Sequence, residues 1–362
     1  MSISINDNNF GYTKLKEKCV NKFSKNVNFS NKKIKKKTST SINEIKIGRI
    51  IKSIPNFEYY FSPIIHASNT IIRDCKLENS NIINEFNIIS NYTFLISITY
   101  NYTNDIKLIN IINNWKYYLK NKEKLYLFFF ECYQHLLETI IILQKYKITY
   151  LNFNITNIYI NDKTHLPFIS EFTKSIHNND PKKTLLTIKK IDEKLIYLYP
   201  FEIYIIYHLL NNCDDYYKDI SKILSDENIS IIADEYIKNN KYYKKFNDKD
   251  YKKICISLLE SYKTNTYKEL IVYLLKQNTY WDNYQLSIVI LDCIEEIFTE
   301  NIYMFLHINK NCMLTEWIDI LKQNINPSFM MRNCVEYTKK ITDKILFNNN
   351  MDTYKLLLDH SF

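Results

Sequence analysis

The chain has 362 residues, of which 46% are hydrophobic and 15% aromatic, which excludes a disordered protein and allows one large or two ordinary domains. It contains only 2 glycines, where average usage would give roughly 25, and its Tyr, Asn, Ile and Lys content is typical of AT-rich genomes. The net charge of +9 is concentrated in residues 1–50, which hold 12 Lys and Arg against 3 Asp and Glu.

The cysteines and the apolar runs exclude several further classes of protein. The 8 cysteines include no C-x-x-C pair and have no matching histidines, so neither a zinc site nor a disulfide framework is predicted. The N-terminus has no apolar signal region, and no run of about 18 apolar residues is present. We therefore expect a soluble intracellular protein without a membrane span, located in the cytoplasm or, alternatively, in the nucleus.

The N-terminal stretch is basic, most densely at residues 32–37. A run of this kind attracts nucleic acid or another acidic surface, so residues 14–37 are a candidate site for either partner. The alternative is a solvated, loosely ordered terminus.

The next stretch has the pattern of a helix, with apolar residues at 47, 50, 51 and 54. Asn43 is placed as an N-cap and Pro55 as the stop signal. Glu44 then lies in the first turn, where the alternatives are an exposed carboxylate that supports the helix dipole and an ion-pairing group.

Short β-rich runs follow between Tyr59 and Asn101, at residues 61–65, 88–89 and 92–100. Residues 106–119 and 123–146 are predicted to be helices. The longer helix places one set of apolar residues on a single face, namely Leu125, Phe129, Cys132, Leu136, Ile140 and Leu143.

The stretch from Ile148 to Ser175 contains two apolar runs, residues 157–160 and 166–169, separated by Asn161-Asp162-Lys163. Asn and Asp favour tight turns because they bond their own backbone amides and tolerate left-handed backbone. The pattern predicts a β-hairpin.

This hairpin and its flanks resemble the catalytic and metal loops of protein kinases, in which H-x-D-x-K-x-x-N precedes a strand, a turn and a second strand that ends in D-F-G. Asn157 falls on the metal-binding Asn of that pattern, and Phe172 falls on the Phe of D-F-G. Glu171 stands at the Asp of D-F-G. Asn152 stands where the family has its catalytic base, and Asn154 stands where it has a phosphate-contacting Lys.

Three downstream segments extend the resemblance in family order. Tyr199-Pro200-Phe201-Glu202 is similar to the end of an activation segment, and residues 281–289 are similar to a buried helix whose Asp, here Asp282, holds the amides of the catalytic loop. Residues 321–332 resemble the corner whose Arg pairs with the Glu after that segment, so the resemblance implies a buried Glu202–Arg332 ion pair. No motif is recognised in residues 211–280.

The resemblance implies an α+β protein with the two-lobed protein-kinase-like fold, having a small β-rich N-lobe and a large α-helical C-lobe. The implied divisions are a basic arm or degraded start of the N-lobe at 1–40, the N-lobe at 41–101, the helical C-lobe at 102–347 and a tail at 348–362. Several segments are most similar to kinases of large DNA viruses, which implies host cytoplasm or the virion as the location.

The resemblance also implies a nucleotide site at which Asn152, Asn157 and Glu171 surround a pocket between the lobes. ATP and Mg²⁺ are the implied cofactors, with Asn157 and Glu171 as metal ligands and Glu44 as the ion-pairing Glu. The Gly-rich phosphate loop is missing, and none of Lys25, Lys32 and Lys33 is placed in a V-A-I-K-like strand.

These replacements predict a pseudokinase that binds a protein partner and transfers phosphate weakly or not at all, because an amide at residue 152 cannot accept a proton. The first alternative is a divergent active Ser/Thr kinase that uses Glu171, Asn157 and a lysine of the basic arm. The second alternative is an α-rich interaction protein.

Overall fold

A computed structural model of the chain describes residues 32–36, 39–71, 94–100, 105–114, 122–212, 221–246, 248–298 and 313–348. Helices predominate within these residues and the sheets are small, in agreement with the α+β class. The chain divides into two compact units, one comprising Met1–Lys107 with Asn157–Ser175 and the other Leu108–Thr156 with Ile176–Phe362. Among the described helices, none combines the length and apolar character needed to cross a bilayer.

The first unit contains a three-stranded antiparallel sheet. Its central strand β4 (Phe94–Tyr100) pairs with β1 (Lys32–Lys36) on one side and with β3 (Ile64–Ile71) on the other. The interpretation of residues 32–36 as part of a loosely ordered terminus is therefore wrong. Lysine-rich segments are frequent on edge strands because their charge discourages pairing with other chains. The predicted run at residues 88–89 lies outside the described residues.

Helix α1 (Ser39–Ile51) begins four residues before the predicted N-cap. Asn43 is not a cap, because its Nδ2 donates a hydrogen bond to the carbonyl oxygen of Ser175 at 2.6 Å. Glu44 therefore lies in the second turn, and its exposed fraction is 0%. The alternative of an exposed first-turn carboxylate is wrong, because α1 packs against β3 and a 3₁₀ helix at Phe172–Lys174.

A second sheet in this unit has the order β2 (Phe61–Ser62), β8 (Pro167–Ser170), β7 (Ile158–Ile160) and β5 (Ile106–Lys107). The antiparallel β7–β8 pair confirms the predicted hairpin. The helix predicted over 106–119 starts only at Leu108, because residues 106 and 107 pair with β7. The end of that predicted helix lies outside the described residues.

The second unit is mainly helical. It contains α2 (Leu108–Asn113) and α3 (Lys122–Lys145), then a small antiparallel pair of β6 (Ile148–Thr149) with β9 (Ile176–His177). The predicted apolar face of α3 is confirmed, since each of its residues is at most 3% exposed: Leu125, Phe129, Cys132, Leu136, Ile140 and Leu143.

The remaining helices of this unit follow in chain order. They are α4 (Pro181–Lys189), α5 (Phe201–Asn212), α6 (Asp226–Asn239), α7 (Lys241–Phe246), α8 (Asp248–Glu260), α9 (Tyr267–Leu275), α10 (Trp281–Phe298), α11 (Met313–Asn324) and α12 (Val335–Asn348). The predicted buried helix is confirmed in α10, where every residue from 281 to 291 is at most 2% exposed.

Helices α6 to α9 occupy the interval in which no motif is recognised, and a buried hydroxyl cluster joins two of them to α10. The hydroxyls of Tyr236 on α6 and Tyr243 on α7 lie 3.1 and 3.5 Å from that of Tyr284 on α10. Burial raises the pKa of each of these three tyrosines. The Tyr243 hydroxyl donates to the carbonyl oxygen of Ile325 at 2.7 Å. Tyr236 and Tyr243 of this interval are therefore part of the core of this unit.

Candidate functional site

The turn between β7 and β8 is built as its sequence predicts. The Asn161 side-chain oxygen accepts hydrogen bonds from the backbone amides of Lys163 and Thr164, both at 3.0 Å. The Asn161 amide donates to the carbonyl oxygen of Leu166 at 3.0 Å. These bonds fix the closed end of the hairpin, and so its register.

Asn157 and Glu171 both lie at the open end of the same hairpin. Asn157 directly precedes β7 and Glu171 directly follows β8, and Ile158 pairs in register with Ile169. The Ser170 hydroxyl lies 3.5 Å from the carbonyl oxygen of Asn157. Both predicted metal ligands are half-buried residues of the first unit.

Glu171 has left-handed backbone, with φ 62° and ψ 66°. A non-glycine residue in this region stores roughly 1–3 kcal/mol of strain, and such residues are concentrated at functional sites. The following residue, Phe172, is fully buried, with its ring edge-on to Phe61 at 6.3 Å between centroids. Packing at Phe172 holds the strained residue in place.

Glu44 lies on α1, the helix that packs against the 3₁₀ turn directly after Glu171. Three of the five predicted site residues therefore belong to the first unit. Amide and carboxylate oxygens are ligands that suit Mg²⁺, so the donor chemistry of Asn157 and Glu171 fits that ion. No group of three or more His, Cys, Asp or Glu side chains in the described ranges is arranged to hold a metal.

The loop after β6 belongs to the second unit, where a carboxylate of α10 holds it. Asp282 accepts hydrogen bonds from the amides of Tyr150 at 2.7 Å and Leu151 at 2.9 Å. The prediction that Asp282 holds amides of this loop is confirmed. Leu151 is left-handed, with φ 53°, and the two bonds support that conformation. Burial raises the pKa of Asp282 to about 7, although the amide bonds act in the opposite direction.

The other two predicted site residues, Asn152 and Asn154, lie further along this loop. Asn152 is half-buried. The Asn154 side-chain oxygen accepts hydrogen bonds from the Thr156 amide at 2.9 Å and the Thr156 hydroxyl at 3.0 Å. Asn154 thus closes a local turn, which is a common structural use of Asn.

Glu202 and Arg332 form the predicted ion pair. Arg332 Nη1 lies 3.0 Å from Glu202 Oε2, and the two side chains are 1% and 0% exposed. The other guanidinium nitrogens donate to the carbonyl oxygens of Asn326 and Pro327. Burial raises the pKa of Glu202, against the opposing effect of Arg332. Glu202 Oε1 has no hydrogen-bond partner among the described residues.

The sequence does not predict two features of the described chain, namely strand β1 and the left-handed backbone of Leu151. Lys32 and Lys33 belong to β1, a strand that the sequence does not predict and that α1 follows in chain order. The alternation Lys33-Ile34-Lys35 is a weak signal for this strand. The left-handed backbone of Leu151 gives no sequence signal, since leucine rarely adopts it. Lys25 lies outside the described residues.

A comparison of the sequence with protein-family models gives no match, and a comparison with curated proteins gives none either.

Proposed function

We propose that the chain is a protein-kinase-like scaffold, a pseudokinase with little or no phosphotransfer, that acts by binding a protein partner. The observation that carries this proposal is the pair of hydrogen bonds from Tyr150 and Leu151 to Asp282. They anchor a loop whose next residues, Asn152 and Asn154, have no side chain that accepts a proton or carries a positive charge at neutral pH.

The ion pair between Glu202 and Arg332 supports the first part of the proposal, the kinase-like scaffold. The kinase resemblance implies this ion pair, although its two residues are 130 positions apart. The chain order of β1, α1, β3 and β4 also supports a kinase-like scaffold. A lysine-bearing strand followed by a helix with a buried Glu is the arrangement by which kinases hold nucleotide phosphates.

The residues at positions 152 and 154 support the second part of the proposal, that phosphate transfer is weak or absent. Loss of a general base slows proton transfer by roughly 10²–10⁴-fold. Loss of a preorganised positive donor slows the chemical step by about another 10²-fold. Together these losses leave a scaffold in which phosphate transfer is inefficient.

A divergent active Ser/Thr kinase is the second candidate, and the placement of Asn157 and Glu171 at one end of the hairpin favours it. In that case the two side chains would hold Mg²⁺, which neutralises phosphate charge, and a lysine of β1 would contribute a further positive charge.

Nucleotide binding and phosphate transfer separate the two candidates. We expect ATP with Mg²⁺ to give a small thermal shift in the wild type and a smaller one in Glu171→Ala. We expect wild-type transfer to a generic protein substrate to be no faster than that of Glu171→Ala. Transfer that survives purification and is lost in Glu171→Ala would contradict the pseudokinase proposal. Asn152→Asp is the matched gain-of-base variant and should raise transfer only if the nucleotide binds.

A further inference from the structure

Helix α4 presents a basic face that carries one exposed apolar side chain. From Pro181 to Lys190 the chain has four lysines and no acidic residue. Lys182, Lys189 and Lys190 are exposed, and Leu186 between them is 52% exposed. Residues 182, 186 and 189 are spaced by four and three, so they lie on one side of the helix, and Lys190 follows directly as the C-cap residue.

The opposite side of α4 fixes the helix to the second unit. Thr184 and Ile188 are buried, and the helix packs against α5 and β9. Asp180 caps the N-terminus by accepting from the Lys183 amide at 3.0 Å, and Pro181 occupies the first turn. The basic face is therefore held on a formed, capped helix.

The exposed lysines of this face are not engaged in the ion pairs of the described residues. Lys182, Lys189 and Lys190 form no ion pair with any described residue. The nearest acidic residues in the sequence, Asp180 and Asp192, use their carboxylates to cap backbone amides. Elsewhere in this unit, exposed lysines such as Lys241 do pair with a carboxylate.

We propose that this face of α4 is a docking surface for an acidic segment of a partner protein that also carries an apolar side chain. The three lysines supply charge complementarity, which steers association and fixes the register of the partner. Leu186 supplies the apolar contact. The inference does not rest on the kinase-like proposal, because it uses only the described surface of α4.

The chemistry of the face favours a protein segment over nucleic acid or a membrane. Single-stranded nucleic acid is held by aromatic side chains on which bases stack, and α4 contains none. Helices that lie on membranes bury a broad apolar face, whereas this face offers Leu186 alone. We therefore expect an oligonucleotide and anionic vesicles to bind more weakly than an acidic peptide.

The test is fluorescence anisotropy with the full-length protein and a labelled peptide of glutamates around a central leucine. We expect salt-sensitive binding that is about tenfold weaker in the Lys182→Glu/Lys189→Glu/Lys190→Glu variant, since each exposed ion pair contributes roughly twofold or more. Leu186→Ala should weaken binding about threefold while leaving its salt dependence unchanged.

The matched control reverses three other exposed, unpaired lysines of the same unit, in the variant Lys238→Glu/Lys268→Glu/Lys340→Glu. It changes the net charge equally and should bind like the wild type. Equal loss in this control would overturn the proposal, as would absence of peptide binding by the wild type. Tighter binding to oligothymidylate or phosphatidylserine vesicles that the α4 triple variant loses would also overturn it. Unchanged thermal shifts with ATP in all variants would separate this result from the kinase-like proposal.

Discussion

The two halves of the loop from Tyr150 to Thr156 are held in different ways. The first half is fixed over long sequence distances, since Leu151 bonds to Asp282, 131 residues away. In the second half, the side-chain bonds of Asn154 reach only two residues along the chain. The difference shows that the long-range anchor of the loop, Asp282, does not involve the side chain of Asn154. An Asn at residue 154 is therefore compatible with an intact fold.

The largest effect is expected at the buried ion pair of Glu202 and Arg332. Arg332→Met should lower the free energy of unfolding by about 3–5 kcal/mol, because it leaves the Glu202 carboxylate buried without its partner. Urea denaturation followed by circular dichroism measures the change. The exposed Arg49 provides the control variant Arg49→Met, which should change stability by less than about 0.5 kcal/mol.

The double variant Glu202→Gln/Arg332→Met sharpens this prediction. It should be less destabilised than the sum of its single variants, because neither change then leaves a lone buried charge. Strict additivity would show that the two groups do not interact.

The second prediction concerns pH and Asp282. Its carboxyl has a raised pKa of about 7 in the folded state, against 3.8 as the ordinary value. The folded state therefore binds more protons between these pH values, and stability falls as the pH rises through that window, by up to about 4 kcal/mol. Wild type and Asp282→Ala should differ most near pH 4 and least near pH 8 in urea midpoints. Parallel pH curves for the two proteins would contradict the assignment.

A smaller effect is expected in the hydroxyl cluster. Tyr243→Phe removes the donor to the Ile325 carbonyl oxygen and should cost about 1–2 kcal/mol. Tyr337, which is 52% exposed, gives the control Tyr337→Phe, with a change close to zero. Equal effects of the two substitutions would show that the cluster does not contribute to stability.

The smallest effect is expected in the second half of the loop. Asn154→Ala removes the acceptor for Thr156 and should cost about 0.5–1 kcal/mol, whereas Asn154→Asp keeps that acceptor and should be nearly neutral. Thermal unfolding of both variants is sufficient to measure this. A loss at Asn154 as large as that in Asp282→Ala at pH 4 would remove the distinction between the two halves of the loop.

The sequence allows the prediction of features that depend on local pattern. The apolar face of α3 and the turn at Asn161 follow from helical spacing and from Asn chemistry. The start of α1 does not, because Ser39, Thr40, Ser41 and Asn43 all have cap chemistry and the sequence does not distinguish among them.

The features that fail at the sequence level depend on contacts between distant segments. Strand β1 is rich in lysine, which has low strand propensity, and is defined by its pairing with β4. The tyrosine cluster joins residues up to 48 positions apart, so no periodicity indicates it. The Glu202–Arg332 pair is predicted only through the kinase resemblance.

The left-handed residues of the described chain have a practical consequence. They are Asn56, Lys147, Leu151, His165 and Glu171, and none is a glycine. Lys147 and His165 are exposed. Lys147→Gly or His165→Gly should raise the melting temperature, since relief of about 1–2 kcal/mol of backbone strain exceeds the added unfolded-chain entropy of about 0.5–1 kcal/mol. The scarcity of glycine, with 2 in the whole chain, thus leaves thermostability that engineering can recover at two surface bends.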